Sequence, residues 1–107
     1  MTVSVIMGNV LAMGVANITI SPALVAANTT AEQTFTVPGI LAGDVIIDVT
    51  KPTAQAGLGI VGSRVTAANA VGIMFSNNTA AGITPTASET YLVAWIRRDS
   101  VQTGVNA

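Results

Sequence analysis

Apolar and polar residues alternate along much of this chain with a period of two, the spacing of a half-buried strand rather than of a helix. Gln33-Thr-Phe-Thr-Val is the cleanest run, with Phe35 and Val37 on one face and Thr34 and Thr36 on the other. Runs rich in Val, Ile and Thr extend the pattern and predict strands near 17–26, 32–37, 44–50, 58–66, 70–76 and 90–98. Turn residues separate them. Pro22 interrupts the first and argues for an edge position. Pro38-Gly39 suits a turn in which Pro presets φ and Gly takes a positive one, Gly43-Asp44 marks a second turn, and Lys51-Pro52 closes the third strand. Asp48 interrupts an otherwise apolar strand, so its side chain is expected in water or paired. Asn28 to Glu32 reads as a polar turn and Asn77 to Glu89 as a long loop. Ala-Asn recurs at Ala16-Asn17, Ala27-Asn28 and Ala68-Asn69, which reads as turn chemistry at strand edges. Short strands with such punctuation predict an all-β fold, a small antiparallel β-sandwich or barrel-like domain.

The ends read differently. Residues 1–16 alternate loosely, with Val3, Val5 and Met7 on one side and Ile6 on the other, until Gly8 and Asn9 break the pattern. This segment is either a first strand of the same sheet or an apolar arm that lies on a neighbouring subunit. Helix competes over Val10 to Ala16 but is weakened by Gly14. Residues 99–107 are small and polar, a tail. The chain thus reads as one β domain over 1–107: an N-terminal strand or arm (1–16), a β core (17–98) and the tail.

Composition turns attention to assembly. Half of the 107 residues are apolar, yet only two Phe, one Tyr and one Trp are present, so Ala, Val, Ile and Gly must fill the core. Small side chains bury little area each, and self-association would add burial that a monomer cannot supply. Charged residues make up 8%, against roughly 25% in ordinary soluble domains. A net charge of −1 with four cations offers no basic patch, which argues against nucleic acid as a partner. No apolar run reaches bilayer-spanning length, and no Lys or Arg precedes the first one as in a secretory signal, so no membrane partner is expected. Without Cys or His, neither a thiolate metal site nor the usual proton shuttle is available.

No motif carries convincing chemistry. Gly57-Leu-Gly-Ile-Val-Gly62 has the letters of a dinucleotide-binding loop but no following helix and no acid between Asp48 and Glu89, so its glycines read as a bend or a close backbone approach. Asp44 and Asp48 on one strand would stand roughly 13 Å apart, too far for a glycosidase pair, and read as solvated strand ends. A Ser-Lys or Thr-based mechanism is open by composition, but nothing places Lys51, the only lysine, beside a hydroxyl. The sequons at Asn17, Asn28 and Asn77 are those expected by chance in an Asn- and Thr-rich chain. Trp95 shares a strand face with Tyr91 and Val93 and reads as a core or interface anchor before a sugar platform. Arg97 and Arg98 point to opposite faces. No catalytic, cofactor or metal residue is assigned.

Four linked segments carry a resemblance: Phe35-Thr-Val-Pro-Gly-Ile-Leu-Ala-Gly-Asp, Lys51-Pro-Thr-Ala-Gln-Ala-Gly-Leu-Gly-Ile-Val, Arg64-Val-Thr-Ala-Ala-Asn, and Phe75-Ser-Asn-Asn-Thr-Ala-Ala-Gly-Ile-Thr-Pro-Thr-Ala-Ser-Glu-Thr-Tyr. Over about Pro22 to Arg97 the chain resembles a module of tailed-bacteriophage virion proteins, the capsid decoration or cement proteins and parts of head fibres. That resemblance implies a β-rich, non-enzymatic structural protein on the capsid surface of a virion. It also implies that the protein is a homotrimer that binds between subunits of the major capsid protein and stabilises the shell. The alternative it leaves is a head or tail fibre module that binds a host glycan or receptor. Val3, Val5, Ile6, Met7 and Trp95 are the candidate interface residues.

Overall fold

The computed structural model describes residues 9–99, and within them the chain forms six strands and no helix. They are β1 (Val10–Ile20), β2 (Thr29–Thr36), β3 (Val45–Thr50), β4 (Leu58–Ala67), β5 (Ala70–Asn77) and β6 (Glu89–Arg98). All pairings are antiparallel and give two three-stranded sheets, ordered β1-β6-β3 and β2-β5-β4, which form a small β-sandwich.

The core lies between the two central strands. Val71, Ile73 and Phe75 of β5 and Tyr91 and Val93 of β6 are fully enclosed, with Ile18 of β1 beside them. Val25, Val37 and Ile40 enter from the loops. Spacing by two residues puts these core side chains on the inner faces of β1, β5 and β6.

Four strands begin in the same way. Asn28, Gly57, Asn69 and Ser88 all have positive φ, each follows an alanine, and each directly precedes β2, β4, β5 or β6. A single left-handed residue reverses the chain locally, and Asn, with its short polar side chain, accepts that conformation better than most. The Ala-Asn reading therefore holds at Asn28 and Asn69, whereas Asn17 lies inside β1. Pro38-Gly39 forms its turn, with Gly39 at φ 93 and the Ile40 N–H bonded to the Val37 carbonyl.

Two boundaries differ from expectation. β1 starts at Val10, not near 17, and stops at Ile20, because the Val10–Ala16 segment finds a partner in the far half of β6, from Val93 to Arg98. Beyond Pro22 only Val25 is bridged, to Ile83. β2 starts at Thr29 and absorbs most of the expected polar turn. Its Gln33 amide bonds both the N–H and the C=O of Ala23, standing in for a backbone partner. β1 lies at the edge of its sheet, but Pro22 follows the end of the strand rather than sitting within it.

Candidate functional site

Six of the nine charged residues are consumed in three ion pairs. At one end of the sandwich Arg97, on the inner face of β6, makes a two-pronged contact with Asp44 through Nε at 3.0 Å and Nη2 at 2.8 Å. It also donates to the Gly39 carbonyl and lies 5.0 Å over the Trp95 ring. Asp44 accepts the Leu41 N–H as well. The Arg97 bonds hold its carboxyl below the usual carboxylate range, outweighing its burial. Asp44 is therefore no solvated strand end: its side chain is only 2% exposed. Asp48 faces water, as expected, and bonds the Thr50 hydroxyl.

At the other end the structure does what spacing could not and puts Lys51 beside a hydroxyl. Its Nζ donates to the Thr53 carbonyl and hydroxyl at 2.8 and 3.0 Å and pairs with Glu89 at 2.9 Å, while the Thr53 hydroxyl bonds the other Glu89 oxygen. Those two bonds lower the Glu89 pKa, Thr53 contributing most. Both charged side chains are about nine-tenths enclosed. Each donor of this latch already has an acceptor inside it, and it fastens the loop after β3 to the start of β6. Two residues along, the Tyr91 hydroxyl is buried with no hydrogen-bond partner among the described residues, and burial together with the Glu89 charge pushes its pKa up to about 12. A slot of about 180 Å³ opens nearby between β3 and β4, lined by Val49, Lys51, Leu58, Ile60 and Phe75 among others. That is below the roughly 300 Å³ at which small-molecule sites begin. Among the described residues no three acids or other metal-binding side chains converge.

Only Gly57 of the Gly57–Gly62 motif is conformationally required. Its φ is 81, and a Cβ there would run into Thr79 Cγ2. Gly59 faces open space and Gly62 makes ordinary contacts, so the run is a strand entry and not a phosphate cradle.

The two outer sheet faces differ in kind. On β2-β5-β4, threonines flank a Glu32–Arg64 pair that spans the central strand above Gly72, where a Cβ would meet the Glu32 carboxylate at 2.5 Å. On β1-β6-β3, Leu11, Met13 and Val15 stand out from β1, 60–63% exposed. Register places Met13 beside Ile96 and Ile96 beside Val45, with Ile47 displaced at a bulge of β3. The other half of this face is polar, where the Thr19 and Thr90 hydroxyls bond each other. Trp95 is not part of it: it points inward, packed against the core and over Gly14. Val3, Val5, Ile6 and Met7 lie outside the described residues. Sequence reasoning missed the apolar face, although the unbroken Val-Leu-Ala-Met-Gly-Val of β1, apolar at both parities, signals a strand with two apolar sides.

Comparison with protein-family profiles, curated proteins and solved structures finds no match.

Proposed function

We propose that this chain is a non-enzymatic virion structural protein, a homotrimer that decorates and stabilises a bacteriophage capsid by binding between major capsid protein subunits. The observation that carries the reading is the contrast of the outer faces. Six of the nine charges are spent in ion pairs, while one half of the β1-β6-β3 face, with only Asp48 and Arg98 at its border, is left apolar over neighbouring strands. An exposed apolar patch of that kind marks a protein contact. The fibre alternative gains nothing, because all four aromatic rings are in the core or packed against it and none is presented to a sugar. The two ends of the described chain lie together, the Asp99 N–H bonded to the Asn9 carbonyl, which suits a clamp.

The test removes the gene from the phage that encodes it and adds back purified chain. Particles without the chain should rebind it to saturation and gain resistance to heat, since a cement stabilises a shell only by its preference for the assembled lattice. A chain lacking residues 1–8 should stay folded and lose binding. Particles that ignore the full chain would overturn the functional reading; retained binding after truncation would overturn the role of the N-terminal run.

A further inference from the structure

The apolar half-face of β1-β6-β3 carries its own complement, and we infer that its occupant is a second copy of this chain. Three observations converge, and the inference rests on the structural, non-enzymatic reading above.

First, size. Leu11, Met13, Val15, Val45, Ile47 and Leu92 are 40–63% exposed, which with roughly 170–220 Å² per residue amounts to about 600 Å², close to the ~800 Å² per partner of a stable interface once its polar rim is added. Second, charge. Of the three charged residues left outside the ion pairs, Arg98 and Asp48 fall at outward positions of this same face, Arg98 at the end of β6 and Asp48 opposite Ala94 on β3. Among the described residues Arg98 reaches only the Gly43 carbonyl, at 3.5 Å. A patch with one cation and one anion at separate points of its rim is complementary to itself: Arg98 of one copy meets Asp48 of the next, in a closed ring of two or of three. Third, the edge. β1 is eleven residues long with no charge, which leaves it without the lysines or inward charges that usually keep edge strands apart. Its outward side chains continue the patch to the rim of the sheet.

The experiment is the solution mass of the full chain, by light scattering and sedimentation equilibrium. Wild type should sediment at two or three times 10.8 kDa. Met13→Glu should fall to the single-chain mass with an unchanged β-type circular dichroism spectrum, and Ile47→Lys on the opposite strand should do the same. Arg98→Glu and Asp48→Arg should each weaken association about tenfold, and the double reversal should recover most of that loss. A wild type that stays at 10.8 kDa at all concentrations would overturn the inference, as would an undiminished mass for both Met13→Glu and Ile47→Lys. A double reversal no better than the product of the single ones would remove the Arg98–Asp48 contact. The two readings fail separately: a monomer that still saturates particles refutes self-association, and with it the trimer, but leaves the capsid role, and an oligomer that ignores particles refutes only the capsid role.

Discussion

Tyr91→Phe should make the protein more stable, and increasingly so in alkali. Tyr91 is fully enclosed between the sheets, and its hydroxyl has no hydrogen-bond partner among the described residues. A buried hydroxyl left unbonded costs about 1–3 kcal/mol. Removing the oxygen leaves a gap of roughly 12 Å³, worth about 0.3 kcal/mol at ~24 cal/mol per Å³. The balance at pH 8 is a gain on the order of 1 kcal/mol, or about 4–8 °C in Tm for a domain of this size. The pH dependence follows from the phenol, whose pKa rises from 10.0 to about 12 through burial and then the Glu89 charge. A folded-state pKa above the unfolded one gives stability that is complete below pH 10.0 and drains as pH climbs towards 12. At pH 11 the unfolded tyrosine is mostly ionised and the folded one is not, which widens the gap between variant and wild type by about 1.4 kcal/mol. Urea unfolding followed by Trp95 fluorescence, at one fixed protein concentration and at pH 8 and 11, reads both numbers. A variant less stable than wild type by more than about 1 kcal/mol at pH 8 would mean that the hydroxyl is bonded, and the reasoning fails. An equal gap at both pH values would mean that the phenol titrates as if exposed.

Asp44→Asn should cost about 2 kcal/mol at neutral pH, because an amide cannot accept both Arg97 prongs. Its carboxyl is depressed below the ordinary 3.8, so its contribution is present above about pH 4 and is lost as pH falls through the folded value; acid denaturation of the variant should be flatter in that window. Gly57→Ala, checked by thermal melting, should be the costliest of the three alanine changes in the Gly57–Gly62 run, since only there does a Cβ meet both a left-handed φ and the Thr79 methyl. Gly59→Ala should be nearly silent; a larger effect at Gly59 than at Gly57 would contradict the assigned turn.

Much of the fold was written locally. Alternation identified the β class and placed β3, β4, β5 and β6 to within a residue or so, because a strand half-buried on one face must repeat every two residues. Turn chemistry marked Pro38-Gly39, Asn28 and Asn69, since φ is decided within one or two residues. The tertiary structure alone decided that β5 and β6 are central, so that Phe75 and Tyr91 are core while equally apolar Leu11 and Met13 stand in solvent. It alone paired Asp44 with Arg97 and Glu89 with Lys51, partners 53 and 38 positions apart in the chain. It turned Trp95 inward and left one half of a sheet face apolar. Each of these depends on which strands lie side by side, and that order follows from long-range pairing, where a residue's neighbour across the sheet has no fixed distance from it along the chain.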